Sequence, residues 1–161
     1  MFRLTEDMQR TVRVQQLGFH ATVCADGTPN LSPKGTTDVW DDTHLYFADI
    51  CSPQTVENIR RGSLVEVNVV DPFLRKGYRF KGPATVHDAG SAVFDEGLQR
   101  LRAKGSKLLD RVKAIVVIEV QQAGEIVSPI YDDGTISEAE VRAIHEARFV
   151  NLLTASRVLS R

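Results

Sequence analysis

The fold is decided by one stretch of the chain, Ala21-Thr22-Val23-Cys24-Ala25-Asp26-Gly27-Thr28-Pro29-Asn30-Leu31-Ser32-Pro33-Lys34-Gly35. Residues 19–24 alternate apolar and polar side chains, which is the pattern of a half-buried β-strand. Asp26-Gly27 follows this strand and is the strongest short signal for a β-hairpin. The return strand, 28–39, contains Pro29 and Pro33, and two prolines exclude it from the centre of a sheet. It is therefore an edge strand, or it bends at residues 33–35.

The rest of the chain continues this antiparallel pattern. Strands are expected at 19–24, 28–39, 44–48, 64–70, 78–86 and 114–120, and helices at 5–16, 53–61, 92–103 and 138–159. Ser137 and Glu140 form a capping box at the start of the last helix. A parallel α/β sheet would need a helix after nearly every strand. We therefore predict a mainly β fold, a six-stranded antiparallel barrel with added helices.

The composition is that of an ordinary globular domain, with 161 residues, 42% hydrophobic and 25% charged. We expect one domain over residues 1–161, with a C-terminal helical extension at about 136–161. A net charge of −1 gives no reason to expect nucleic acid or an anionic membrane as a partner. The sequence shows no apolar run of membrane-spanning length and no secretory signal, so we expect a cytoplasmic protein. Cys24 and Cys51 stand alone and fit reduced thiols.

Three segments carry residues suited to binding an anion. The helix expected at 53 begins with Ser52, a preferred N-cap, and Pro53, a preferred first residue. Unpaired N–H groups at a helix start attract phosphate, although most capped helices bind nothing. Lys34 at the strand bend is either a ligand-facing cation or a solvated lysine. Arg79 and Lys81 share one face of a strand, so they either face solvent or hold an anion.

Histidine spacing gives no indication of a metal site. The four histidines lie in four different predicted elements, at His20, His44, His87 and His145. None of the spacings matches a metal-binding motif. We therefore expect surface or strand histidines and no metal.

The order of the segments resembles that of the pyridoxamine 5'-phosphate oxidase-like FMN-binding family. The resemblance covers roughly residues 10–122 and rests on the segments 21–35, 45–49, 55–58, 65–71 and 77–84. It implies a six-stranded split β-barrel, with flavin mononucleotide (FMN) bound between the two protomers of a homodimer. It further implies a flavin-dependent oxidoreductase that meets a small-molecule substrate or electron donor.

The resemblance also implies a set of cofactor-binding residues. The isoalloxazine ring and ribityl chain would be lined by Ser32, Pro33, Lys34, Gly35, Thr36 and Thr37. The ring edge would meet the backbone of Phe47, Ala48 and Asp49. The phosphate would lie at the helix start, at Gln54, Thr55 and Asn58, with help from Arg79 and Lys81. Lys34, near the pyrimidine edge, would stabilise the anionic reduced flavin.

The chain departs from the true pyridoxamine phosphate oxidases at several positions. It has Ser32 where they have an arginine, and Pro53-Gln54 where they have an Arg-Lys pair at the helix start. Its tryptophan, Trp40, does not lie in a C-terminal substrate segment. We therefore do not expect a vitamin B6 enzyme. Three alternatives to the oxidoreductase stay open: an FMN carrier or electron-transfer protein, a deazaflavin- or haem-binding relative, and a ligand-free structural or regulatory barrel.

Overall fold

Two antiparallel sheets build the protein, whose computed structural model describes residues 2–159, with side chains described through residue 155. The described strands are β1 (Gly18–Val23), β2 (Pro29–Lys34), β3 (Asp38–Val39), β4 (His44–Asp49), β5 (Val65–Asp71), β6 (Lys76–Gly82), β7 (Ala84–Asp88), β8 (Ala114–Glu119) and β9 (Gln122–Val127). The described α-helices are α1 (Glu6–Gln15), α2 (Pro53–Arg60), α3 (Ala92–Ala103) and α4 (Glu138–Leu159). Short 3-10 helices span Leu109–Arg111 and Pro129–Tyr131.

The strand order is β2-β1-β5-β6-β9 in one sheet and β3-β4-β8-β7 in the other. The prediction of a mainly β, antiparallel fold with added helices is confirmed, but the two sheets do not close into a barrel. The count of six strands was wrong, because the described residues form nine. The expected strands 28–39 and 78–86 each break where the chain passes from one sheet to the other, and β9 was not anticipated.

One of these breaks lies between β6 and β7, at Gly82 and Pro83. The backbone of Glu119 crosses so close to Gly82 that a Cβ there would overlap the Glu119 carbonyl oxygen. The Glu119 N–H donates to the Pro83 carbonyl at 3.0 Å, which ties the crossing to β8. Pro83 has no N–H to continue the ladder of β6. The chain therefore leaves the five-stranded sheet here.

The other break follows Lys34. β2 is the edge of the five-stranded sheet, which confirms the edge position expected from Pro29 and Pro33. The Thr37 hydroxyl donates to the Lys34 carbonyl at 2.8 Å and closes a tight turn. Residues 35–37 then lead into β3 of the other sheet. The strand is thus both an edge and bent.

The core lies between the inner faces of the two sheets. Val67 and Phe80 of the five-stranded sheet belong to the same buried cluster as Leu45, Phe47 and Val116 of the four-stranded sheet. On the other face of the four-stranded sheet, α3 contributes a second buried cluster through its apolar side chains Phe94 and Leu101. The four-stranded sheet is therefore buried on both faces, whereas the outer face of β1 and β2 is exposed within the part of the chain that the structure describes.

The helix starts predicted at residues 53 and 138 agree with the structure, although the Ser52 side chain makes no capping bond to α2. Glu140 N–H donates to the Ser137 hydroxyl at 3.3 Å, and the Glu140 carboxylate accepts from the Ser137 N–H at 2.8 Å, so the capping box is present. Helix α4 is held by buried Val141 and by a ring contact between Phe149 and Phe73, with centroids 5.0 Å apart. Residues 160–161 of the expected extension lie outside the described residues. No helix among residues 2–159 has the length and hydropathy needed to cross a bilayer.

The crossing at Gly82 predicts a strong substitution effect. Gly82→Ala should lower the free energy of unfolding by about 3 kcal/mol, because the new methyl group must push β6 and β8 apart. Gly124→Ala is the matched control, since nothing lies within 4 Å of a Cβ at that strand position. Urea denaturation of both variants measures the difference. Equal free energies of unfolding for the two variants would show that the backbone of Glu119 does not lie close to Gly82.

Candidate functional site

The two faces of β2 carry different kinds of side chain. The register with β1 pairs His20 with Ser32 and Thr22 with Asn30. Side chains alternate along a strand, so Asn30, Ser32 and Lys34 point inward with His20 and Thr22. Helix α2 packs on this inner face. The residues between them, at positions 29, 31 and 33, face outward and are exposed.

Lys34 is the most unusual residue of this inner face. Its ammonium donates to the Ser32 hydroxyl and to Ser52 Oγ at 2.6 Å, and only 5% of the residue is exposed. No carboxylate of the described residues lies within ion-pair distance of it. Burial lowers the pKa of Lys34, against smaller opposing contributions from Asp49 and Cys51. We call Ser32, Lys34 and Ser52 the Lys34 cluster.

The start of α2 lies directly beside the Lys34 cluster. The Ser52 hydroxyl accepts from Lys34 and makes no capping bond to the helix. The Ser52 N–H donates to Asp49 Oδ1 at 2.9 Å. The backbone N–H groups of Gln54 and Thr55 have no acceptor among the described residues. Two free donors and the positive end of the helix dipole therefore face the same region as the lysine.

The side chains of Thr55 and Asn58 hold α2 in place. Both residues are 1% exposed. Asn30 Nδ2 donates to the Thr55 hydroxyl at 3.1 Å, and Asn58 Nδ2 donates to Thr22 Oγ1 at 3.0 Å. Gln54 Nε2 in turn donates to Asn58 Oδ1 at 2.8 Å. These side chains tie the helix to β1 and β2, and the backbone N–H of Thr55 keeps no acceptor among the described residues.

His20 lies in the interior beside the strand bend and contacts it through Thr37. It is fully buried, and its ring packs edge-on against Phe47 with centroids 4.6 Å apart. Its Nε2 lies 2.8 Å from Thr37 Oγ1, whose own proton goes to the Lys34 carbonyl. Nε2 is therefore the protonated nitrogen, and Nδ1 is a buried acceptor without a partner among the described residues. Burial, helped by the Lys34 charge, lowers the pKa of His20 to about 3.

His20 was not expected at the site, and Ser52 was expected only as a helix cap. The alternation of residues 19–24 was a usable signal, since it puts His20 on the same face as Thr22. The prediction of a surface or strand histidine is confirmed for His20, which lies in β1 and is buried.

The backbone expected to meet a flavin ring is already engaged. The Ala48 N–H donates to the Thr36 hydroxyl at 2.9 Å, and the Asp49 carbonyl accepts from the Lys113 N–H at 2.8 Å. Phe47 lies wholly in the core. A ligand at this edge would therefore meet Thr36 and the loop 35–37 before it met the strand.

A cleft of about 390 Å³ opens beside loop 35–37, within the size range of small-molecule sites. Its walls come from the strand bend, the end of β4 and the segment after α3, namely Gln16, Gly35, Thr36, Thr37, Ile50, Leu101, Lys104, Gly105, Ser106, Lys107 and Leu108. Nothing lies within 4 Å of a Cβ built on Gly35, so this side of the bend is open. We call this space the lysine cleft.

Arg79 and Lys81 lie elsewhere. Both side chains pair with Glu66 of the neighbouring strand, at 3.2 Å and 2.9 Å. Their strand, β6, is separated from β2 by β1 and β5. Within one chain, the two cations are therefore not brought to the Lys34 cluster. Glu66 supplies an opposite charge to both cations within the chain, so their proximity does not by itself require a bound anion.

The outer face of β1, β2 and the start of β5 is apolar and exposed. Phe19 is 43% exposed, Val23 55%, and Leu31 and Leu64 64% each. Pro29 and Pro33 extend the same surface, which we call the outer apolar face. No group of residues suited to a metal ion is found among those that the structure describes.

His20 predicts how stability depends on pH. A lowered pKa in the folded state means that the unfolded chain binds the proton more tightly. The stability that neutral His20 gives the folded state is therefore fully present above pH 6.5. The free energy of unfolding falls as the pH falls toward 3, by up to about 1.4 kcal/mol per pH unit. Urea denaturation should show a flatter dependence for His20→Gln than for the unchanged protein. His87→Gln, on β7, is the control, and equal slopes for the protein and His20→Gln would contradict the buried neutral imidazole.

Known proteins share this architecture. Among solved structures, HupZ of Group A Streptococcus is 29% identical and superposes with a TM-score of 0.67, over 80% of this chain and 96% of that one. HutZ, a haem storage protein of Vibrio cholerae, is 17% identical with a TM-score of 0.63, over 78% and 95% of the two chains. An FMN-binding protein of Syntrophomonas wolfei is 15% identical with a TM-score of 0.63, over 78% and 87%. The similarities to HutZ and to the Syntrophomonas wolfei protein show a shared fold alone.

Comparison with curated proteins gives no significant match. Residues 4–124 match the family model of pyridoxamine 5'-phosphate oxidase, which spans both sheets up to β9. This confirms the resemblance seen in the order of the sequence segments. The chain belongs to the pyridoxamine 5'-phosphate oxidase family.

Proposed function

We propose that this protein binds FMN and works as a flavin-dependent oxidoreductase on a small substrate. The observation that carries the proposal is Lys34, a buried ammonium with no carboxylate partner among the described residues. Burying an unpaired charge is unfavourable, so such a group is retained where a ligand supplies the opposite charge. A phosphate group supplies it at this position.

The donors around Lys34 fit a phosphate. An ammonium has three N–H donors, and Ser32 and Ser52 take two of them. The third N–H and the backbone N–H groups of Gln54 and Thr55 are left for phosphate oxygens, at a helix start whose dipole favours an anion. Lys34 lies against the helix start, which favours the phosphate over the pyrimidine edge of the flavin as its ligand.

The remainder of the cofactor would extend from the Lys34 cluster along Gly35 and Thr36 to the mouth of the lysine cleft, and it would leave the cleft itself to the substrate. FMN bound there would supply hydride or single-electron chemistry, and the chain would bind and orient it. Thr36 would present its hydroxyl along the loop. His20 and Thr37 would hold the bend in place from below, since they fix the Lys34 carbonyl.

Haem is the alternative that a relative of this fold suggests, since HutZ is a haem storage protein, and a deazaflavin is the other alternative that the sequence leaves open. The donor set at the Lys34 cluster favours a phosphate-bearing group, because it consists of an ammonium, hydroxyls and amide N–H groups. His20, the histidine beside the cluster, is buried and already bonded to Thr37. An absorption spectrum of the freshly purified protein, followed by mass identification of the released chromophore, distinguishes the three cofactors. Stopped-flow reduction by NAD(P)H then tests enzyme against carrier.

The proposal includes a homodimer. The outer apolar face gathers several exposed apolar side chains on one side of a sheet, and such a patch is typical of a surface that another chain covers. The outer apolar face lies on the opposite side of β2 from Lys34, so a second protomer seated there would lie one strand away from the cofactor. It would also bring its own Arg79 and Lys81 as candidates for the shared site.

Lys34→Met should weaken FMN binding roughly 10- to 100-fold, because a hydrogen bond to a charged group is worth about 1.5–3 kcal/mol. Riboflavin, which lacks the phosphate, should bind the variant and the unchanged protein equally. Fluorescence titration of both ligands measures this. Lys76→Met, which breaks an exposed ion pair with Glu138, is the control. Equal losses for FMN and riboflavin would place Lys34 at the ring, and unchanged FMN binding would remove it from the site.

Leu31→Asp should dissociate the homodimer at micromolar concentration, because it puts a charge in the outer apolar face. The monomer should stay folded, since Leu31 is 64% exposed. Ile144→Asp, at an exposed position of α4, should leave the dimer intact. Light scattering of the three proteins measures the mass. A monomeric unchanged protein, or dissociation by Ile144→Asp alone, would contradict this interface.

A further inference from the structure

We infer that the lysine cleft binds a small apolar acid, a ring or short chain that carries one carboxylate, as the substrate of this flavoprotein. The inference rests on the proposed function, because a substrate has to lie where the cleft adjoins loop 35–37. It assigns a chemical class to that substrate. The lysine cleft has an apolar part and a charged part.

The apolar part is the wall opposite the strand bend. Ile50 directly follows β4, Leu101 lies near the end of α3, and Leu108 lies just before a 3-10 helix. Leu108 is 44% exposed and faces the cleft without cover. Contact with such side chains removes apolar ligand surface from water, which favours a hydrocarbon body over a sugar or a polyol.

The charged part consists of Lys104 and Lys107. The Lys104 ammonium is held by Asp38 Oδ2, and Asp38 is 6% exposed with its other oxygen buried and unpartnered among the described residues. Lys104 is therefore held by a largely buried carboxylate. Lys107 makes no ion pair or hydrogen bond with any described residue. No acidic side chain of residues 2–155 lines the cleft. Lys107 is thus the cation available to a ligand carboxylate.

The experiment uses benzoate and benzyl alcohol, which share one ring and differ in charge. Each is titrated into the purified protein, and the amide signals of Gly35 and Gly105 in proton–nitrogen NMR spectra report on the cleft. We expect both ligands to shift these signals, with benzoate binding about fivefold more tightly, as for one solvent-exposed ion pair. Lys107→Met should bring benzoate to the affinity of benzyl alcohol and leave the alcohol unchanged. Arg148→Met, which removes an exposed cation of α4, should change neither.

Equal affinities for the two ligands in the unchanged protein would overturn the inference, and so would benzoate binding that Lys107→Met leaves unaffected. Lys107 is the residue to replace, because Lys104→Met would leave the Asp38 carboxylate buried without its partner and would destabilise the fold. FMN titration of Lys107→Met separates the two proposals, because the phosphate of FMN is assigned to Lys34 and not to Lys107. If benzoate shows no preference while Lys34→Met still loses FMN, only the substrate class is wrong.

Discussion

The register between β1 and β2 is the constraint on which the site depends. Side chains alternate across a strand, so pairing His20 with Ser32 turns Lys34 inward and Leu31 outward together. A slip of one residue would bury Leu31 against α2 and expose the lysine. The Asp26-Gly27 turn, closed by a bond from the Gly27 N–H to the Cys24 carbonyl at 2.9 Å, helps to fix this register. One hairpin therefore produces both the polar inner cluster and the outer apolar face.

Local signals predicted the fold well where one segment decided the outcome. The hairpin, the edge position of β2 and the capping box at Ser137 depend on neighbouring residues, and the structure contains all three. The strand count failed because a continuous β pattern does not reveal a change of sheet. That change depends on Glu119 crossing Gly82, and these residues are far apart in sequence.

The site was predictable to the same extent. Lys34 and the start of α2 could be found from turn and cap residues, but their contact could not, because it joins two elements that meet only in the folded chain. The pairing of Arg79 and Lys81 with Glu66 is likewise a cross-strand contact. His20 shows the converse case, since alternation put it on the inner face while its hydrogen bond to Thr37 needed the bend to be known.

In the proposed function, Lys34 is a buried anion-binding group that a ligand phosphate completes. A crystal structure of the protein loaded with FMN tests it most directly. The account predicts the phosphate within hydrogen-bond distance of Lys34 Nζ and of the Gln54 and Thr55 N–H groups. A phosphate bound elsewhere, with Lys34 still bonded only to Ser32 and Ser52, would contradict it.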